Sequence, residues 1–155
     1  MDAMLMMRMQ ELYSEYAASL DEARYADWVE LFTDQASYVL QPRENHERGF
    51  GLATLAFESK GMLRDRIYGI EQTLFHAPYY QRHLIGPLRI NAQEPGWQVQ
   101  GNYAVFRTKV GGLSEVFNVG RFIDRVVEHQ GALRFASKLL VFDSELIPNS
   151  IIYPI

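Results

Sequence analysis

A chain of 155 residues can bury a sizeable core as one domain, 1–155, and its 48% apolar content, with nine Tyr, nine Phe and two Trp, excludes a disordered chain. A formal charge of -4 gives no basis for binding nucleic acid or an anionic membrane. With no cysteine, disulfides, thiolate nucleophiles and Cys-ligated zinc or iron–sulfur centres are excluded.

The opening MDAMLMMRMQELY is interrupted by Asp2, Arg8 and Glu11 and lacks the apolar core and cleavage site of a signal peptide. No run approaches membrane-spanning length, so a soluble, cytoplasmic protein is expected. Leu5, Met9, Leu12, Tyr16 and Leu20 recur at helical spacing and predict a first amphipathic helix. Asp21 stands as the N-cap of a second helix over about 21–32, whose stripe is Tyr25, Trp28, Leu31 and Phe32. Together they predict a helical hairpin. Ala36 to Leu40 has strand composition, and Pro42 ends it. The charged, aperiodic QPRENHERGFG reads as an exposed loop. A third helix is expected from about Ala53, with Leu63, Ile67, Ile70 and Leu74 on one face.

The second half is strand-rich. LFHAPYYQRHLIGPLRI is punctuated by Pro78 and Pro87 and ends as strand, and residues 96–109 alternate Trp97, Val99, Gly101, Tyr103 and Val105 with polar neighbours. Gly111-Gly112 is a turn. The stretch from Ser114 to Asp143 is two Val/Ile/Leu/Phe-rich runs broken once, at EHQGA, and predicts a long β-hairpin turning at Gly131. On its first strand Phe117, Val119, Ile123 and Val127 share one side, and Asn118, Gly120, Phe122 and Asp124 the other. Neither side is cleanly polar, so both are expected to be covered. The apolar end, SELIPNSIIYPI, is expected to dock on something. Helices first and strands after is an α+β pattern, with the N-terminal helices on one face of a bent antiparallel sheet. The NTF2-like cone fits this order, and that architecture alone does not decide function.

Few residues offer chemistry. His46, His76, His83 and His129 stand in no ligand spacing, although His76 and His83 flank one Pro-broken stretch and could approach each other. Surface or interface histidines are the better reading. Asp124 lies mid-strand beside Arg121 and Arg125. It could serve as the general base of a stand-alone isomerase or dehydratase, its pKa raised by burial. An ion pair with one of the arginines is the stronger reading, and Asp143 with Lys138 invites a similar pairing. Tyr79, Tyr80 and Tyr103 are pocket, core or interface residues. No nucleophile elbow, P-loop or dinucleotide fingerprint is present.

Five segments carry a resemblance. They are LQPREN at 40–45, ESKGMLRDRIYG at 58–69, HAPYYQRHLIG at 76–86, FNVGRFIDRV at 117–126 and KLLVFDSELIPNSIIYPI at 138–155. The chain resembles the small (beta) subunit of bacterial aromatic-ring-hydroxylating oxygenases, most nearly the salicylate 5-hydroxylase type, with anthranilate, halobenzoate and benzoate relatives close by. The resemblance implies a non-catalytic subunit of an NAD(P)H-dependent mono- or dioxygenase. It implies a large (alpha) partner carrying a Rieske 2Fe-2S cluster and a mononuclear iron, and a small-subunit trimer within a hexamer of three large and three small subunits. No cofactor is expected in this chain. Expected subunit contacts are Arg43 and Glu44 in the loop from Gln41 to Arg48, the segment Tyr79, Tyr80, Arg82 and His83, the strand residues Arg121, Asp124 and Arg125, and the tail Ile147 to Ile155 with Tyr153. Lys138 departs from the family, many members of which carry Arg there; lysine cannot supply the two-pronged carboxylate contact of arginine.

Overall fold

The computed structural model describes residues 2–146 and 151–155. The first helix, α1 (Ala3–Asp21), is capped by Asp2, whose carboxylate accepts the Met4 N–H at 3.2 Å. Met9, Leu12, Tyr16 and Leu20 of its predicted stripe are buried, joined by Tyr13, while Leu5 is only partly buried. Asp21 is the last residue of α1 and not an N-cap, and the expected second helix shrinks to α2 (Tyr25–Val29). Ala23 at φ 56 turns the chain out of the helix. The Arg24 guanidinium then clamps the corner by ion pairs to Glu15, Glu22 and Asp27.

Phe32, expected at the end of a helix, opens strand β1 (Phe32–Pro42). The expected loop beyond is partly ordered. Gln41 and Pro42 complete β1, and Arg43–Glu47 form α3, supported by the i,i+4 pairs Arg43–Glu47 and Arg48–Glu44. Residues 55–57 form β2 (Leu55–Phe57) against β1, so the third expected helix, α4, runs only over Lys60–Tyr68. Ser59 is its cap, accepting the Met62 N–H, and a π turn at Gly69–Thr73 carries Ile70 inward.

Five strands follow: β3 (Tyr79–Ile85), β4 (Arg89–Ala92), β5 (Trp97–Lys109), β6 (Ser114–His129) and β7 (Ala132–Phe142). They form one seven-stranded sheet in the order β2-β1-β7-β6-β5-β3, with β4 also on β5. The sheet is antiparallel except where β1 runs parallel to β7. The β6–β7 hairpin turns at Gln130 and Gly131, both at positive φ, which suits the right-handed twist of the strands. Gly120 is required by close approach, since a Cβ there would lie 2.0 Å from the Val141 carbonyl oxygen.

The hairpin's two faces differ more than its sequence suggests. Asn118, Gly120, Phe122, Asp124 and Val126 are buried on the inner face, whereas Val119, Ile123 and Val127 stay partly exposed on the outer face, left open among the described residues. Simple alternation groups Phe117 with the outer residues. Pairing jumps from Val105↔Asn118 to Phe106↔Val116, so Phe117 is the extra residue of a β-bulge and turns inward beneath Arg107. The core is aromatic. Tyr16, Trp28, Phe32, Tyr38 and Phe135 pack ring against ring, and each fully buried side chain contributes about 2–3 kcal/mol of transfer free energy.

Candidate functional site

Asp124 and Lys138 face each other across β6 and β7. Lys138 Nζ is 2.7 Å from Asp124 Oδ2, and the Tyr13 hydroxyl donates to the same oxygen at 2.6 Å. The Leu139 amide reaches Oδ1 at 3.3 Å. The ammonium also lies 4.3–5.0 Å from the ring centres of Tyr13, Tyr16, Phe122 and Phe135. Burial pushes the Asp124 carboxyl above its usual range and Lys138 below its own, and their mutual attraction opposes both shifts. Burial, followed by the Asp124 charge, raises Tyr13, so its hydroxyl remains a donor.

This geometry corrects three expectations. The partner of Asp124 is Lys138 and neither Arg121 nor Arg125; Arg125 donates instead to the carbonyls of Gln93 and Pro95. Asp143 pairs with Arg43 at 3.7 Å and not with Lys138. Asp124 as general base fails on access, because its side chain is 0% exposed and both oxygens are engaged. For the same reason Asp124 offers no surface to another subunit.

The histidines are placed separately. His76 Nε2 lies 2.9 Å from the Tyr153 hydroxyl, His46 Nδ1 lies 2.9 Å from the Gln41 amide, and His129 sits exposed beside the hairpin turn. His83 does not approach His76. It is buried, with Nδ1 2.6 Å from Asp21 Oδ1, while the Asp21 carboxylate also accepts the His83 backbone N–H. His83 therefore joins Asp124 as a proposed contact that lies inside the chain. Asp21 and His83 edge an open groove of about 750 Å³ between α1 and residues 82–88. Among the described residues no three His, Asp or Glu side chains converge as metal ligands.

Other expected contact residues are distributed over the surface. Arg43 and Glu44 lie on exposed α3, Tyr80 is exposed on β3, and Arg121 is exposed on β6. Tyr79 is half-buried, 4.6 Å from the Tyr153 ring and 5.4 Å from the Arg107 guanidinium. Tyr103 is buried, its hydroxyl donating to Asn118 at 2.6 Å.

The tail docks on its own chain. Ile151 and Ile155 are buried. The Ile155 carbonyl accepts from the hydroxyls of Tyr16 and Tyr38, and the Ile155 N–H donates to Tyr38. Arg66 Nη2 binds the carbonyls of Ile151 and Ile152 at 3.0 and 2.8 Å. Residues 147–150 of the expected tail contact lie outside the described residues. Apolarity of the tail signalled burial; nothing in it signalled that the receiving surface was internal.

The sequence matches the profile of the ring hydroxylating beta subunit family over residues 15–149. It is 30% identical to the anthranilate 1,2-dioxygenase small subunit of Burkholderia cepacia over 145 residues, 93% of this chain and 90% of that one. It is 25% identical to subunit beta 2 of the terminal oxygenase component of terephthalate 1,2-dioxygenase from a Comamonas species, over 90% of this chain and 92% of that one. Among solved structures it superposes, with a TM-score of 0.89 and 29% identity, on a beta subunit assigned to an aromatic-ring-hydroxylating dioxygenase of Novosphingobium aromaticivorans, covering 98% of this chain and 97% of that one.

Proposed function

The chain belongs to the ring hydroxylating beta subunit family, and from that premise we propose that it supports the large subunit of an oxygenase acting on aromatic acids of the salicylate, anthranilate or benzoate type. It is the structural beta subunit of a terminal oxygenase component, within a ring-hydroxylating oxidoreductase complex. The observation that carries the reading is the 30% identity to an anthranilate dioxygenase small subunit along nearly the whole chain. The buried state of Asp124 agrees with it, since the carboxylate best placed to act as a base is committed to Lys138.

The residues present do not fit an iron or Rieske centre: the sequence has no Cys, and no ligand cluster forms among the described residues. The Rieske cluster and mononuclear iron are assigned to the large subunit, with electrons from NAD(P)H. A cytoplasmic hexamer of three large and three small subunits, each small subunit one NTF2-like domain over residues 1–155, is the proposed assembly. Its contacts are drawn from Arg43, Glu44, Tyr80, Arg121, Arg125 and Tyr153, together with the open outer sheet face. Arg and Tyr are typical anchors at interface centres. Arg82, also an expected contact, is exposed and lines the groove between α1 and β3. The test is turnover: the purified chain alone should leave an aromatic acid unchanged, and product should form only with the large subunit and its reductase. Product from the chain alone would reverse the assignment.

A further inference from the structure

The groove between α1 and residues 82–88 has no part in the assembly above. Its volume of about 750 Å³ falls within the size range of small-molecule sites, roughly 300–1,000 Å³. Ala17, Ala18, Ile85 and Leu88 give it apolar wall. Arg82 lines it, is exposed, and forms no ion pair among the described residues, as is also true of Arg66, Arg89, Arg121, Arg125 and Arg134; of these six, only Arg82 lines this groove.

His83 supplies the third feature. A carboxylate can only accept, so the 2.6 Å contact to Asp21 puts a proton on Nδ1. In that tautomer of the imidazole Nε2 is an acceptor. That nitrogen is buried and has no hydrogen-bond partner, on a side chain only 2% exposed. Two carboxylates also line the groove; Asp21 is hydrogen-bonded by His83, and Glu22 is held by Arg24 at 2.7 Å, so Arg82 is the lining group that can take an anion. A peptide strand added along the free edge of β3 is disfavoured, because Asp21 already takes the His83 backbone N–H.

We propose that this groove binds a small carboxylic acid with an apolar body and a hydroxyl or amino hydrogen. The carboxylate lies on Arg82, the body on the Ala17, Ala18 and Leu88 wall, and the O–H or N–H is donated to His83 Nε2. An ortho-amino or ortho-hydroxy aromatic acid satisfies all three. The three-point chemistry stands on the groove itself, and the choice of an aromatic body rests on the function proposed above.

Calorimetric titration of the full-length chain with 2-aminobenzoate, alongside nitrogen-15 spectra of the histidine rings, tests the proposal. Saturable one-to-one binding is expected, with movement of the His83 Nε2 resonance. The neutral 2-aminobenzamide should bind about tenfold more weakly, in line with loss of a charge-assisted contact. Arg82→Gln, at an exposed position, should weaken the acid by the same factor and leave the amide unchanged. No saturable binding, equal affinity for acid and amide, or indifference to Arg82→Gln would each overturn it. Strand-like capture of a peptide along β3 would also count against it. Co-purification with the large subunit is read independently, so failure of the groove is distinguishable from failure of the subunit assignment.

Discussion

Asp124 and Lys138 stand directly opposite each other on neighbouring strands and form an ion pair of 2.7 Å with both side chains sealed from solvent. Removing two charges from water costs several kcal/mol per ion, and their attraction recovers it only with good geometry and full hydrogen bonding. Asp124→Leu or Lys138→Met alone should destabilise by about 3–5 kcal/mol, because each leaves a buried partner uncompensated. The double change Asp124→Leu with Lys138→Met should recover most of that loss. Urea denaturation of the four proteins measures it, and additive losses in the double variant would contradict an ion-pair origin.

The docked tail makes a claim about the isolated chain. Ile155 is buried and tied to Tyr16 and Tyr38, so Ile155→Ala should cost about 2–4 kcal/mol, as other buried aliphatic truncations do. Removing Ile151–Ile155 should lower the unfolding midpoint of the chain without any partner present. A weakened assembly would then follow from a weakened fold. An unchanged midpoint would place the tail's role elsewhere.

Two changes in one hairpin should act in opposite directions. Gly120→Ala drives a Cβ to within 2.0 Å of the Val141 carbonyl and should cost at least 3 kcal/mol, roughly the upper range for overpacking. Gln130→Asn should stabilise by about 0.5 kcal/mol, since Asn accepts positive φ more readily and Asn-Gly is the favoured two-residue turn. Thermal unfolding separates the two, and a neutral Gly120→Ala would contradict the close strand approach.

Lys60, buried at the start of α4, holds the Glu30 carboxylate below its ordinary value of 4.5 through a 2.8 Å contact. A lowered acid adds stability above its unfolded value, and that stability is lost as pH falls through the folded value. Stability should therefore decline below about pH 4.5, modestly because Glu30 is itself exposed. In Glu30→Gln the acid limb should be flatter; an identical acid limb would remove Glu30 from the explanation.

How much of this was legible in the sequence depends on which local rule held. The α1 stripe, the long hairpin and its turn at Gly131 followed from periodicity and positive φ, whereas the bulges within the hairpin left no mark in the sequence. The partner of Asp124 did not follow. Counting back from the His129↔Ala132 pair puts Asp124 opposite Ser137, but a bulge between Arg125 and Val126 moves it to Lys138. The same cause turned Phe117 inward. The second helix is cut at both ends: Ala23 at φ 56 breaks it before Tyr25, and Phe32, apolar in either element, opens a strand beyond it. Asp21 looked like a cap and instead holds a histidine 62 positions away, a contact that no local pattern encodes.

The most direct test of the subunit assignment is the mass, by light scattering, of the complex purified through a tag on the large subunit after both chains are expressed together. Equal numbers of the two chains in one particle, at the mass of three pairs, are expected. A fully active large subunit that purifies without this chain would contradict it.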